Sequence, residues 1–353
     1  MNQKKELEQI LVPLLTWYAK HKRPLPWRND PSPYHVWISE IMLQQTRIEA
    51  VIPYYERFLK ELPDIAALAA VDDDQLMKLW EGLGYYSRAR NLKKAAIQIM
   101  EQHKGQLPES VEKLKKLSGI GDYTAGAIAS ISFGKPEPAV DGNVLRVIMR
   151  VLGKTDDIAL QATKKETSAA LREVYPEGED AKNLTQAIME LGESICIPNG
   201  EPRCAFCPLS NFCKANLEHL TETIPVKSPK KPRKEEQKTV FILSCRGKYA
   251  ICKRPSTGLL AGLWEFPNTQ GTLSEEEALS FLEKLGLSPI GITPCVDAVH
   301  IFTHIEWHMT GYAAECMTPF ENFVWKTPEE ILGEYAIPSA FRAYIQYVRK
   351  MLL

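Results

Sequence analysis

Apolar residues recur at helical spacing through the first two thirds of the chain. Residues 4–20 set Leu7, Ile10, Leu11, Leu14 and Leu15 on one face and predict an amphipathic helix. Residues 33–45, PYHVWISEIMLQQ, predict a helix with little polar face, so Glu40 in its middle is expected to be partly buried. Thr46-Arg47-Ile48-Glu49 reads as a capping box that starts the next helix, leaving Gln44 and Gln45 at an exposed corner. Further helices are expected over residues 72–80, 108–117, 123–131, 144–151, 166–175 and 183–195, the last with Gln186 and Glu190 four apart on one face. Beyond residue 239 the period changes. Residues 239–245 and 249–253 predict strands, 274–285 a helix, 298–312 alternating strand and 338–351 a final helix.

Between the two textures lies TIPVKSPKKPRKEEQK, residues 223–238, with three prolines, six Lys or Arg and no aromatic residue. It is expected to bury no core and to act as a linker. The chain of 353 residues therefore divides into an all-α domain, residues 1–222, and an α+β domain, residues 239–353.

The helical half is organised around residues 117–150, LSGIGDYTAGAIASISFGKPEPAVDGNVLRVIMR. Gly119 and Gly121 form a turn between two helices, and N–H groups left free at such a turn can hold a phosphate. Pro136 and Pro138 then force an extended tether that delivers Asp141-Gly142-Asn143 to the mouth of the next helix. Taken singly, the turn is an ordinary tight corner and Asp141 an ordinary N-cap. Together they suit a grip on a DNA backbone with a carboxylate aimed at one sugar.

Three further stretches carry candidate chemistry. In Arg23-Pro24-Leu25-Pro26-Trp27-Arg28 the prolines predict extended backbone, and Trp27 with Arg28 is suited to stack on and hydrogen-bond a base. In Gly82-Leu83-Gly84-Tyr85-Tyr86 the tyrosines are suited to wedge into a base stack, with Arg88, Arg90, Lys93 and Lys94 following as a basic cluster. Cys196-x7-Cys204-x2-Cys207-x5-Cys213 brings four thiols within 18 residues. That density fits one tetrahedral centre, zinc or an iron–sulfur cluster, and the spacing does not choose between them.

Net charge is −1, so a nucleic-acid surface has to be a local patch. The sequence has no long apolar run and its first residues, MNQKKELEQI, lack an apolar core. A cytoplasmic protein with reduced thiols is expected.

In order, LPWR, SEIMLQQTR, GLGYYSRARNL, LSGIGDYTAGAI, VDGNV and the cysteine cluster resemble the MutY-type adenine DNA glycosylases of the helix-hairpin-helix superfamily. RPSTGLLAGLWEFP and HIFTH resemble the MutT-like recognition domain of that family, so the likeness spans nearly the whole chain. The resemblance implies a monofunctional enzyme that flips adenine out of duplex DNA, where it is mispaired with 8-oxoguanine or guanine, and hydrolyses its glycosidic bond. It implies a catalytic set of Glu40, Asp141, Asn143 and Tyr123, with Glu40 the acid that protonates adenine and Asp141 the stabiliser of the sugar cation. Trp27, Arg28 and Gln186 fall where the family contacts adenine. Gln45, Tyr85, Gly119 and Gly121 fall where it contacts DNA, and Phe302, Thr303 and His304 where a loop reads 8-oxoguanine, usually with Ser in place of Thr303. It also implies one 4Fe-4S cluster on Cys196, Cys204, Cys207 and Cys213, although the family's usual first spacing is six residues and here it is seven. A monomeric, nucleoid-associated protein of bacterial type, with a Nudix-fold second domain that does not hydrolyse nucleotides, completes the expectation.

Three rival readings differ in particular residues. Endonuclease III-type glycosylase/lyases carry a Lys nucleophile where this chain has Tyr123, which forms no Schiff base. A non-catalytic zinc DNA-binding module is the reading from another class, and it predicts a colourless protein. A nucleotide pyrophosphohydrolase needs Gly-x5-Glu-x7-Arg-Glu, and Glu275-Glu276-Glu277 lacks the Arg-Glu continuation. Within residues 298–312, strand alternation puts Phe302 and His304 on one face and Thr303 on the other, unless the segment is a turn.

Overall fold

A computed structural model describes residues 3–229 and 232–350. Residues 230–231 of the expected linker and residue 351 of the expected last helix lie outside them. The chain clusters into two compact units, one of residues 1–70 and 91–229 and the other of residues 71–90 and 230–353.

The first unit is helical. It contains α1 (Gln3–His21), α2 (Pro26–Asn29), α3 (Pro33–Leu43), α4 (Ile48–Glu61) and α5 (Ile65–Ala70). A further helix, α6 (Asp73–Trp80), belongs to the second unit, and α7 (Ser87–His103) begins there and continues into the first. Then follow α8 (Val111–Leu114), α9 (Asp122–Ala127), α10 (Gly142–Leu152), α11 (Gln161–Arg172), α12 (Glu179–Ser194) and α13 (Lys214–Leu217). Leu7, Ile10 and Leu14 of α1 pack with Ile148 of α10 and Leu184, Ile188 and Leu191 of α12 in one buried cluster. The apolar period read from residues 4–20 is what directs α1 into that cluster.

Several local expectations are corrected. Pro26 does not hold the Trp27 segment extended: it occupies the first turn of α2, where a missing N–H is harmless. Thr46 does not cap α4. The N-cap is Arg47, without a side-chain cap bond, and the Thr46 hydroxyl donates to Gln44 O at 3.4 Å. The helix expected over residues 108–117 is only the single turn of α8, capped by Ser110. The one expected over residues 166–175 is α11, displaced toward the N-terminus. After α9 the chain widens into a π-turn, Ile128–Ser132, that periodicity did not foretell. There Ser130 Oγ donates to Gly126 O and shares a hydrogen bond with Thr185 Oγ1 at 2.7 Å. The Ser130 hydroxyl thus ties the widened turn to α12.

The expected linker is bound at its start and is strand at its end. Ile224 is buried, its carbonyl accepts from Arg150 Nε at 2.7 Å, and Val226 O accepts from Ile158 N. Residues 234–238 open β1 (Lys234–Cys245).

The second unit is built on a mixed sheet. After β1 come β2 (Lys248–Lys253), β3 (Trp264–Glu265), β4 (Asn268–Gln270), β5 (Pro289–Pro294), β6 (Ala298–Ile301), β7 (Ile305–Cys316) and β8 (Val324–Lys326). The order is β3-β2-β1-β7-β5, with β1 and β7 parallel from Lys234↔Ile305 to Ser244↔Glu315. Along β1, Val240 and Ile242 face α16 (Arg342–Lys350), while Phe241 and Leu243 face α14 (Glu275–Lys284). Helices on both faces account for an uninterrupted apolar run in the central strand. Between these helices lies α15 (Pro328–Glu334).

Residues 71–90 were expected in the helical domain. Their polar contacts explain why they cluster with the sheet instead. Lys78 Nζ donates to Leu332 O at 2.7 Å, Ile337 N donates to Glu81 Oε1 at 3.0 Å, Lys253 pairs with Asp74 at 2.8 Å, and Arg90 Nη1 donates to Ala261 O at 2.6 Å. Glu277 of α14 is engaged in a capping box with Ser274, an ordinary helix-start role for one of the three consecutive glutamates.

Candidate active site

Glu40 sits mid-way along α3 and is only 7% exposed. Its position follows from the surrounding Val36, Trp37, Ile38, Ile41 and Met42, all buried, which drag the whole helix inside. Burial raises its carboxyl to about 7, the Tyr123 hydrogen bond works against that rise, and Asp141 adds to it. Tyr123 lies in the first turn of α9, directly after the hairpin, and its hydroxyl donates to Glu40 Oε2 at 2.5 Å. Burial and then the charge of Glu40 push the Tyr123 phenol well above its ordinary range, so it stays a donor.

Asp141 is the N-cap of α10, and both readings of it coincide. Its Oδ1 accepts from Val144 N at 2.8 Å, and Oδ2 accepts from Asn143 Nδ2 at 2.9 Å. Burial pushes its carboxyl up, while the Val144 and Asn143 bonds hold it down. Asn143 is itself held, because its Oδ1 accepts from Arg146 Nη2 at 2.8 Å. Arg146 also donates to Cys196 O and Gly192 O, at 2.7 and 2.8 Å.

The hairpin meets this carboxylate through close backbone packing. Gly119 has φ +75°, and a Cβ there would stand 2.7 Å from Asn91 Cβ. A Cβ on Gly126 would stand 2.6 Å from Pro138 O, so only glycine lets α9 rest on the tether that leads to Asp141. Gln44, Gly119, Gly121 and Tyr123 line one groove. Gln45, at the corner after α3, is exposed with φ 59°.

Beside Glu40 a small cavity of about 50 Å³ is lined by Trp27, Arg28, Leu43, Gln186, Met189 and Glu190, among others. That is room for a water or two, so a purine enters only if these side chains move. Arg28 donates to Gln186 Oε1 at 3.1 Å, Glu190 Oε2 at 2.6 Å and Arg23 O at 2.9 Å. Trp27 packs edge-on against Tyr55 with centroids 5.4 Å apart. Sequence reasoning missed Arg23, which bonds Glu190 and, at 2.5 Å, Glu193. The signal was present: Gln186, Glu190 and Glu193 share one side of α12 at helical spacing.

In the second unit, Tyr85 is exposed with φ 46°, whereas Tyr86 is buried. The pair is therefore one outward ring and one core ring. The basic cluster after it is also corrected in part. Arg88 is buried, donates to Leu83 O and Gly84 O, and lies over the Trp80 ring, so it holds the turn. Phe302-Thr303-His304 is a turn rather than a strand. Phe302 N donates to Ile305 O at 2.8 Å, closing a tight hairpin between β6 and β7 with Thr303 and His304 exposed at its tip. Phe302 packs on Trp307 at 4.8 Å, and the hydroxyls of Thr303 and Tyr85 are 2.9 Å apart.

The four clustered cysteines lie between α12 and α13, and none is in a disulfide. Burial first, and then neighbouring thiols, push Cys204, Cys207 and Cys213 up, Cys207 to about 12. Leu209 N donates to Cys207 Sγ at 3.4 Å and Arg150 Nη1 to Cys196 Sγ at 3.3 Å. Among the described residues no group of three His, Cys, Asp or Glu would hold a single metal ion. Four thiols in one loop, with N–H donors turned on two of the sulfurs, match the donor set of a 4Fe-4S cluster. No helix among the described residues is long and apolar enough to cross a membrane.

Comparison with known proteins gives the family. Residues 38–177 match the family described as HhH-GPD superfamily base excision DNA repair protein, and residues 239–347 match the NUDIX domain. In fold, the helical part is similar to a thermostable thymine-DNA glycosylase, with TM-score 0.55 and 26% identity over 61% of this chain and 98% of that one. It also shares the fold of endonuclease III in a non-covalent complex with DNA, with TM-score 0.53 and 23% identity over 62% of this chain and 99% of that one. The chain is 32% identical to the adenine DNA glycosylase of Homo sapiens, covering 94% of this chain and 73% of that protein. It is 33% identical to the adenine DNA glycosylase of Buchnera aphidicola subsp. Acyrthosiphon pisum (strain APS), covering 90% of this chain and 92% of that protein. With a buried acid, a capped carboxylate and the hairpin between them, this chain belongs to the adenine DNA glycosylases.

Proposed function

We propose that this protein removes adenine mispaired with 8-oxoguanine or guanine from duplex DNA, as a monofunctional glycosylase. The observation that carries the reading is the Tyr123–Glu40 hydrogen bond beside Asp141: a carboxyl that titrates near neutrality within reach of an anion. Protonated Glu40 gives its proton to a ring nitrogen of the flipped adenine, and the bond from the sugar to that base breaks with its electrons leaving on adenine. Asp141, whose carboxylate form is favoured by the Val144 N and Asn143 bonds against the effect of burial, faces the cationic sugar that remains. Water adds to that carbon, and its spare proton passes to the Glu40 carboxylate. Tyr123 and Asn143 position the two carboxylates. Trp27, Arg28 and Gln186 bind the adenine edge once Arg28 releases its present partners.

Gly119 and Gly121 hold a phosphate of the same strand through the N–H groups at the start of α9, while Gln45 and Tyr85 fill the space left in the duplex. Phe302, Thr303 and His304 meet 8-oxoguanine, whose N7 has become a donor. A site built to pair that donor disfavours guanine, because its own polar atoms would go unpaired. Cys196, Cys204, Cys207 and Cys213 hold a 4Fe-4S cluster, which when bound cross-links the loop between α12 and α13. Because Tyr123 replaces a nucleophilic lysine, strand breaks appear only after alkali or heat.

The test is a panel of duplexes with adenine opposite 8-oxoguanine, guanine or thymine, followed by alkali and by separate borohydride trapping. Abasic sites that form fastest opposite 8-oxoguanine, with no trapped adduct, support the proposal. No adenine release, or a robust adduct, overturns it.

A further inference from the structure

The groove beside the hairpin has a second wall, formed by α11. Helix α11 buries Thr163, Thr167 and Leu171, so its neighbouring face looks outward with Lys164, Lys165, Ser168 and Arg172. All four line the groove that also holds Gly119, Gly121 and Tyr123. Most charges around it are matched. Lys115 Nζ lies 2.5 Å from Asp122 Oδ1, and Arg172 lies 2.8 Å from Glu137. Glu112, the remaining acid of the lining, accepts from the Ser110 hydroxyl. Lys164 and Lys165 differ: among the described residues neither has an ion-pair partner in the structure. Their charge still reaches the hairpin. The Lys115 hydrogen bond holds the Asp122 carboxyl down, and Lys164 and Lys165 lower it further.

Two unmatched ammonium groups therefore stand across a groove from the N–H groups at the start of α9. An anion that is already held by those N–H groups and continues past them would neutralise both lysines. A nucleic-acid backbone has that form, with charges repeated along one direction. We propose that Lys164 and Lys165 are a second phosphate-binding site, which holds the duplex backbone next to the phosphate bound by the hairpin. The proposal rests on the reading of the protein as a DNA glycosylase and adds contacts that lie outside the hairpin itself.

The experiment is the salt dependence of equilibrium binding, using the full chain. The probe is a duplex whose target adenosine carries a 2′-fluorine, which destabilises the sugar cation and blocks release. Each lysine–phosphate contact contributes about 0.9 to the slope of log K against log salt. Lys164→Ala/Lys165→Ala should make the slope shallower by about 1.8, and Lys164→Arg/Lys165→Arg should keep the original slope. Lys165 is exposed and Lys164 half-buried, and substituting them leaves the buried Thr163, Thr167 and Leu171 of α11 untouched, so folding is not at issue. A slope that changes by less than about 0.5 in the alanine variant overturns the site. Adenine release by the unsubstituted protein on an unmodified duplex separates the two failures: release with an unchanged slope removes only this site, and no release removes the glycosylase reading with it.

Discussion

The Tyr123 hydroxyl donates to Glu40 Oε2 at 2.5 Å, and this bond opposes the burial that raises the Glu40 carboxyl to about 7. A donor to the charged form favours it, so its loss should push Glu40 higher still. Hydrogen bonds to charged groups are worth about 1.5–3 kcal/mol, or roughly one to two pH units. In Tyr123→Phe, the alkaline limb of the single-turnover rate is expected to move up by about one unit. A limb that stays in place or moves down would mean that the two groups are not coupled in this way.

Glu40 should also cost stability at neutral pH. Its carboxyl titrates at about 7 when folded, against 4.5 ordinarily. Between those values the folded chain keeps a proton that the unfolded chain has released, so stability falls as pH rises through this window. Glutamine has no such dependence and still accepts from Tyr123. Glu40→Gln is therefore expected to be more stable than the natural chain at pH ~8, by up to about 3 kcal/mol, with the gap closing near pH ~4. Denaturant midpoints at the two pH values check this, and equal midpoints at both would contradict it.

Asn143 governs the acid side of the profile. Burial raises Asp141, and the bonds from Val144 N and Asn143 hold it down. Asn143→Ala should leave the N-cap bond intact and move the acid limb of the rate to higher pH, with a lower rate at neutrality. If the limb does not move, Asp141 is not the group that titrates there.

Selectivity should reside in the turn between β6 and β7. Phe302→Ala/Thr303→Ala/His304→Ala is expected to weaken the preference for 8-oxoguanine over guanine opposite adenine while adenine release persists. The ratio of single-turnover rates on the two duplexes is the readout, and an unchanged ratio would exclude the turn. Truncation after residue 238 is a poor substitute, because Asp74, Lys78 and Glu81 would lose their partners in the second unit.

The elements legible in the sequence were those set by local chemistry. Pro136 and Pro138 force the tether before Asp141, an N-cap aspartate starts α10, an apolar stripe at helical spacing defines α1 and a continuous apolar run the second half of β1. What stayed hidden is set by particular hydrogen bonds and packing contacts, which residue period does not record. Arg88 read as a phosphate contact, but the carbonyls of Leu83 and Gly84 and the Trp80 ring draw it inward. The period of HIFTHIEW is that of a strand, and only the hydrogen bond from Phe302 N to Ile305 O turns it into a hairpin tip. Ser130 in the π-turn after α9 bonds Thr185 of α12, and the allegiance of residues 71–90 rests on Lys78, Glu81 and Asp74, none of which periodicity can reveal. The Arg23–Glu190–Arg28 network joins residues more than a hundred positions apart, and its local sign is limited to the helical spacing of Gln186, Glu190 and Glu193.

The most direct test of the account is the single-turnover rate of adenine release by Glu40→Gln on a duplex with adenine opposite 8-oxoguanine, at saturating enzyme and neutral pH. Duplex binding is expected to persist while release falls by about 10²–10⁴-fold, since an amide cannot supply the proton that makes adenine a leaving group. Release at close to the natural rate would contradict it.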